Sequence, residues 1–484
     1  MEPTEPQYGD NRGRFVLSDS TRTGLGVLAA ALLLGGLGDA LLRATPWGLN
    51  VAIWTVALAA PIAVLGRPRR LWLAAPFLGF AAATAWRDSP VLKGLDLVAA
   101  ALCLTLAALP VARLRSASLA EVGTGIARLG WTSAAGPVFV AGEDVRWSEL
   151  PRGRYATHAV AAGRGLAIGL PLVLVFGGLF VAADAVFQGL VTSAFDIGDP
   201  LTHLVVAAAC AWVAAGLLRT ALVPAEPLAA PRARLSLGVV EACVVLAVLD
   251  ALFATFVAVQ FRSFFGGEAF VEQTTGLTYA AYARRGFFEL VAVVALALPL
   301  LVAGDWVVRR RSRLFRALAF GLVVLLFVVM ASALERMRLY LRAYGLTELR
   351  LYSTAFMLWL GVICCWFVAT VLRGRRSAFA IGVVVSALAT VAALSVVNPD
   401  GLVARTNVGR ANLDARYVTS LSADAVPTLV GRLDRIDPSA RPVVAQELLR
   451  RWGHGHGWRT WSLGREQAER AVRSHRAELE AAAR

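Results

Sequence analysis

Arg284 and Arg285 stand side by side at the mouth of an apolar run, "TYAAYARRGFFELVAVVAL", with Glu289 one helical turn further in. Arg285 and Glu289 have the i, i+4 spacing of an intrahelical ion pair, but in the poorer order. The cations sit at the helix N-terminus, where the macrodipole disfavours positive charge. A phosphate or carboxylate held by two guanidinium groups relieves that cost; the competing account is neutralisation by Glu268, Glu272 and Glu289. A second stretch, "ERMRLYLRAYGLTELR" (335–350), carries Arg338 and Arg342 opposite Met337, Tyr340, Leu341 and Tyr344. That spacing predicts a short amphipathic helix at a membrane surface, or else a belt of aromatic and arginine anchors. Asp250 lies near the middle of another apolar run, and Asp39, Asp96, Asp184 and Glu289 lie near ends that fall on one side of the membrane. An ionisable group at the centre of a spanning helix costs about 2.5–3.5 kcal/mol, so each acid needs a partner or water. Singly each acid reads as half of a structural pair. Together they outline an outward-facing polar cleft, with Arg284, Arg285, Arg338 and Arg342 as anion ligands and Asp250 and Glu289 as counter-ions or proton sites.

Other chemistries find little support. The chain has no GxxxxGK[ST] phosphate loop, GxSxG elbow, HExxH pair or aspartate-rich magnesium motif. His454 and His456 in "WGHGHGWRTW" supply two metal ligands without a third, on a glycine-rich segment that reads as mobile. The five cysteines fall inside apolar runs with no metal-ligand spacing and read as small core residues. Gly165 and Gly169 form a GxxxG, read as close helix packing. No catalytic residue, metal or cofactor is assigned, and the balance leans against an enzyme.

The elements that must position these residues are membrane helices. Of 484 residues, 57% are hydrophobic, above the 45–50% or so of soluble domains, and the mean hydropathy is +0.63. Apolar runs of bilayer length recur, and continuous runs mean helices rather than alternating barrel strands. The expected fold is all-α: a polytopic bundle of about eleven spans, near 23–42, 47–65, 70–86, 91–112, 165–187, 200–222, 237–260, 286–304, 314–334, 351–372 and 377–397. The divisions are a polar leader (1–22), a four-span region (23–112), a cytoplasmic loop (113–164), a seven-span core (165–397) and a mostly helical polar tail (398–484).

The net charge of +15 comes almost wholly from arginine, Lys93 being the one lysine. Arginines cluster between apolar runs, seven of them across 113–164, which reads as membrane orientation rather than nucleic-acid binding. The alternation puts the N-terminus in the cytoplasm; 261–285 and 335–350 are the two outer stretches that break it. The leader does not resemble a cleavable signal, so the first span is expected to remain as an anchor. The composition suggests a GC-rich bacterial genome and an inner-membrane location. In the loop, "GPVFVAGEDVRW" alternates enough for a small hairpin around Gly142. In the tail, Ser422, Pro438 and Ser462 precede helix-like runs. The side of the tail stays open: the odd span count puts it outside, while its fourteen arginines against ten acids favour inside.

Three segments carry a family resemblance: "FFGGEAFVEQTTGLTYAAYARRGFFELVAV" (264–293), "RMRLYLRAYGLTELRLYSTAFM" (336–357) and "VNPDGLVARTNVGR" (397–410). Over about 160–430 the chain resembles the bacterial multipass family catalogued as domain of unknown function 4173, with its 4153 relatives. Where that pattern has ARYN, this chain has Thr406 in place of the tyrosine. The resemblance implies a polytopic inner-membrane protein and no activity, cofactor or catalytic residue. The functional expectation is therefore a protein that binds or transports an anionic ligand, a lipid headgroup or small solute, with membrane lipid as its partner. The alternatives are a scaffold or sensor acting through its loop and tail and, behind that, an enzyme acting on a lipid-linked substrate.

Overall fold

The computed structural model describes residues 17–65, 74–107, 130–149, 183–194, 200–223, 238–265, 287–308, 312–410 and 413–484, with single positions between 127 and 180. Its helices include α1 (Asp19–Leu42), α2 (Leu49–Ala57), α3 (Ala59–Leu65), α4 (Ala74–Trp86), α5 (Pro90–Ala107), α6 (Pro200–Leu222), α7 (Val239–Phe265), α8 (Phe287–Val307), α9 (Arg313–Tyr344), α10 (Glu348–Thr370) and α11 (Arg376–Val397), with a shorter one at Ala185–Ala194. The tail adds α12 (Pro399–Asn407), α13 (Ala415–Ser420), α14 (Val426–Val430), α15 (Arg441–Trp452), α16 (Leu463–Ser474) and α17 (Arg476–Ala482). Among the described residues there is no strand.

Among the described residues seven helices, α1 and α6 to α11, are long and apolar enough to cross a membrane. The other four expected spans stand apart from these. The 47–65 run is divided into α2 and α3, α4 has 13 residues and α5 has 18. Thirteen residues rise about 20 Å, against roughly 30 Å of hydrocarbon. The 165–187 run lies mostly outside the described residues.

The chain divides into two compact units. One holds residues 1–43, 54–72 and 127–225. There α1 packs against α6 through small residues: a Cβ placed on Gly35 would stand 2.6 Å from the Ala207 carbonyl, and one on Gly38 2.5 Å from the Cys210 side chain. The GxxG on α1 thus makes close packing here, as Gly136 does against Gly216; among the described residues a Cβ on Gly165 or Gly169 meets nothing within 4 Å. The expected hairpin around Gly142 is instead helical: Gly136–Phe139 runs into a π turn, Val140–Asp144. Its alternation is too short to outweigh the ion pair that ends the turn, in which Arg219 Nε stands 2.6 Å from Asp144 Oδ2. Ser18 caps α1, and its hydroxyl donates to Glu149 at 2.9 Å.

The second unit holds residues 44–53, 73–126 and 226–484. Its membrane core is a continuous set of buried side chains that includes Phe287, Leu322, Leu326, Phe367 and Phe379. The tail has its own core, among others Val403, Leu429, Ile436, Val444, Leu448, Ala468 and Leu479, and Leu346 from the α9–α10 turn belongs to it. The tail is therefore a small helical domain seated at the end of the bundle formed by the 44–48, 86–90 and 344–348 turns. Ser422 and Ser462 are N-caps, as the sequence indicates, whereas the helix after Pro438 begins only at Arg441.

The separate surface helix expected within 335–350 does not form. Residues 335–344 are the last turns of α9, which at 32 residues is about 48 Å long and overshoots the hydrocarbon, and 348–350 already belong to α10. The overshoot docks the tail. Gly345, at φ +77°, ends α9, and the Asn407 amide brackets Leu346, accepting from its N–H (2.9 Å) and donating to its carbonyl (2.7 Å). The carbonyls that a helix C-terminus leaves orphaned find two arginines. Arg410 donates to the carbonyls of Arg342 (2.6 Å), Ala343 and Leu341, and Arg350 to those of Gly345 (2.5 Å) and Tyr344. Two of the motif segments of the sequence thus meet each other here, to join the tail to the bundle.

Candidate functional site

Asp88 closes the turn between α4 and α5, and Arg465 lies in the first turn of α16, where the Ser462 hydroxyl accepts from its N–H. Arg465 is only 2% exposed. Its Nη2 stands 2.6 Å from Asp88 Oδ1, and its Nη1 donates to the carbonyls of Pro46 (3.0 Å) and Thr460. Lys93, also buried, places Nζ 2.7 Å from the same carboxylate oxygen and donates to the Trp47 carbonyl. One carboxylate therefore serves two buried cations and ties the 45–48 turn, α5 and α16 together.

A second acid mirrors the first. Asp424 Oδ2 accepts from the N–H groups of Asp88 (2.6 Å) and Ser89 (3.2 Å), and Asp88 Oδ2 accepts from Ala423 N–H at 3.4 Å. Arg87 lies 3.7 Å from Asp424 Oδ1 and donates to the Ser395 carbonyl at 2.7 Å, so it also covers the C-terminal end of α11. Burial pushes the Asp424 carboxyl up to about 6, against the pull of the Asp88 N–H and Arg87; the charges of Asp88 and Asp400 add to the rise. Asn398, in the left-handed conformation, ends α11 and caps α12 by accepting from Gly401 N–H at 2.9 Å. Buried Asp400 accepts from Ser422 N–H at 3.1 Å.

Next to this network is a cavity of about 530 Å³, within the size range of small-molecule sites. Arg465, Arg451, Lys93 and His456 line it with Asp88 as the one acid, along with Ser420, Ser422 and apolar walls from Trp47, Leu97 and Trp452. Arg451 donates to the carbonyls of Thr419 and Leu421 and lies 5.4 Å from the Trp452 ring centroid. His456 pairs through Nδ1 with Glu469. Arg465 Nε, buried, has no hydrogen-bond partner among the described residues. The lining thus carries three formal cations against one carboxylate, a field suited to an anion. Among the described residues no three His, Cys, Asp or Glu side chains converge as a metal site.

Of the residues singled out from the sequence, those that are described lie elsewhere. Arg284 and Arg285 fall outside the described residues. Glu289 is exposed in the first turn of α8. Asp250, part-buried on α7, faces Gly321 of α9, where a Cβ would stand 3.5 Å from its Oδ2. Arg338 is exposed and pairs with Glu335 at 3.4 Å, and Arg342 is exposed. Seventeen residues of α9 separate Gly321 from Arg338, about 25 Å of helix, so Asp250 and the two arginines do not share a site. Asp96 is fully buried and accepts from the Ser395 hydroxyl at 3.4 Å. The signal for the actual cluster was Lys93, the single lysine of the chain, placed in an apolar run between Asp88 and Asp96.

The sequence matches the family described as "Domain of unknown function (DUF4153)" over residues 74–431. The chain belongs to that family. No curated protein and no solved structure matches it. The DUF4153 match begins well before the segments that carry the resemblance and takes in α4 and α5, with Asp88 and Lys93. It ends at Gly431, so the pocket is built partly from the DUF4153 region and partly from Arg451, His456 and Arg465 beyond it.

Proposed function

We propose that this integral membrane protein binds an anionic ligand, a lipid headgroup or a small solute, in the pocket between its membrane-helix ends and its tail domain. The observation that carries the reading is the cavity lined by Lys93, Arg451, Arg465 and His456 with Asp88 as its single acid. The arginine-rich opposite ends of the helices, with Arg313, Arg316, Arg373 and Arg375, support an orientation in which the tail and pocket face outward and the N-terminus is cytoplasmic, in a bacterial inner membrane. The test is a binding titration of protein in neutral detergent with glycerol phosphate. Saturable binding that weakens with salt, and about tenfold with Arg451→Gln, supports the reading; no anion binding to the wild-type protein ends it.

A second reading, a scaffold whose tail is a fixed platform for a partner, draws on the bonds that Lys93 and Arg465 already make to Asp88 and to the 45–48 turn. It predicts that the same titration is flat while the tail stays docked.

A further inference from the structure

The cavity has two chemically different halves. Arg451, Ser420, Ser422, His456 and Arg465 come from the tail, whereas Pro90, Lys93, Gly94 and Leu97 come from one face of α5. From Pro90 to Leu97 the helix rises about 10 Å, from the charged turn into an apolar stretch that holds no further cation. Gly94 belongs to a second set as well. With Val91 (45% exposed) and Val98 (67% exposed) it forms the exposed stripe of α5, at i, i+3 and i+7. In an apolar helix of a membrane protein such a stripe meets lipid. Among the described residues, a Cβ placed on Gly94 meets no atom within 4 Å. The pocket is therefore open at Gly94, where it adjoins the exposed stripe. A site meant only for a water-soluble anion has no use for an apolar gap on that side.

We propose that the occupant is an anionic amphiphile, a lipid bearing a phosphate or carboxylate. Its head lies among Lys93, Arg451 and Arg465, and its chain leaves across Gly94 into the bilayer. This rests on the anion-binding reading above and narrows it to one class of ligand. The head is drawn in by charge. Exposed Trp47 and Trp461 flank the entrance level: the Trp461 carbonyl accepts from Leu49 N–H, at the first residue of the apolar helix α2, at 2.7 Å. Indoles at that height are the usual markers of the headgroup layer.

The test uses the full chain in neutral detergent, with native mass spectrometry and a titration, and two probes that share a head: dioleoyl phosphatidate and glycerol phosphate. The wild type is expected to hold phosphatidate at least tenfold more tightly than dioleoyl phosphatidylcholine. Gly94→Phe, which puts a ring into the gap, is expected to weaken phosphatidate at least tenfold and to change glycerol phosphate less than twofold. Val98→Phe puts the same bulk one turn further along the stripe and is expected to change neither. If Gly94→Phe does not fold, Gly94→Leu takes its place with the same expectations. Phosphatidate binding that survives a filled gap overturns the amphiphile and leaves the anion pocket standing, as does glycerol phosphate binding as tightly as phosphatidate. Neither probe binding to the wild type overturns both readings.

Discussion

Replacing Arg465 with methionine removes the cation that links the tail to two turns of the bundle while keeping most of the side-chain volume. The guanidinium is fully buried and makes charge-assisted bonds to Asp88 and to the carbonyls of Pro46 and Thr460. Its loss leaves those two carbonyls without this donor and returns Asp88 Oδ1 to Lys93 alone. Breaking a buried pair by deleting one partner costs about 3–5 kcal/mol. The lower end applies here because Lys93 still compensates the carboxylate. At 1.4 kcal/mol per factor of ten, a loss of about 3 kcal/mol raises the population of the undocked tail roughly a hundredfold.

Hydrogen exchange reads that population directly when reclosing is fast. Amides of α16 and of the 86–94 turn are expected to exchange about a hundred times faster in Arg465→Met, while those of α9 within the bundle core are unchanged. Asp88→Asn is expected to do more damage than Arg465→Met, since it strands two buried cations that now repel each other. Exchange in α16 that rises less than tenfold, or Asp88→Asn proving the milder of the two, refutes the assignment of Asp88 as the shared counter-ion.

Other expectations follow from the same end of the bundle. Asp424 has its folded pKa raised from 3.8 to about 6 by burial. Its contribution is therefore complete below about pH 4 and is lost as pH rises through 6, on the order of 3 kcal/mol in all. Tail protection is expected to be greater at pH 5 than at pH 7.5, and Asp424→Asn to flatten that difference; a profile unchanged by the substitution counts against the burial argument. Gly345→Ala forces a side chain to adopt φ +77° and sets its Cβ against Asn407 Oδ1. It is expected to cost about 1–3 kcal/mol and to lower the melting temperature, and no change in melting would show that the α9 terminus can relax. Asn407→Ala removes both bonds to Leu346, and protease nicking near 408–414 is expected to appear in it before nicking elsewhere.

The membrane helices were legible because a bilayer imposes a local rule: about twenty apolar residues in succession, whatever follows in the chain. That rule finds α1 and α6 to α11 with their ends nearly in place. It fails at 335–350, because positive charge beyond a span has two physical causes that look alike in sequence. One is contact with lipid headgroups or a ligand; the other is a helix that runs on past the membrane to meet a folded domain. Arg350 belongs to the second kind, since it spends its donors on the carbonyls that end α9. The pocket was illegible for a different reason. Its hydrogen bonds join residues as far apart as Pro46 and Arg465, 419 positions in sequence, and no periodicity links them.

What the sequence did carry was an anomaly of type rather than of spacing: a chain that uses arginine nearly everywhere keeps its one lysine at position 93, inside an apolar run. The structure gives that lysine a physical setting. Its slender ammonium reaches Asp88 Oδ1 from the α5 side while the planar guanidinium of Arg465 approaches the same oxygen from α16. Lys93 makes one bond to the carboxylate and one to the Trp47 carbonyl, and an ammonium has three donors. Arginine's fork, with five donors in a fixed plane, brings more N–H groups than this buried position has shown acceptors for. Lys93→Arg is accordingly expected to be no conservative change. It should loosen the 45–48 turn and speed exchange of α16 at least tenfold, whereas Arg451→Lys at the half-buried rim should leave that exchange within about twofold of wild type. Equal tolerance at the two positions would mean that the single lysine reflects codon usage alone, and that the Asp88 cluster accepts any cation of sufficient reach.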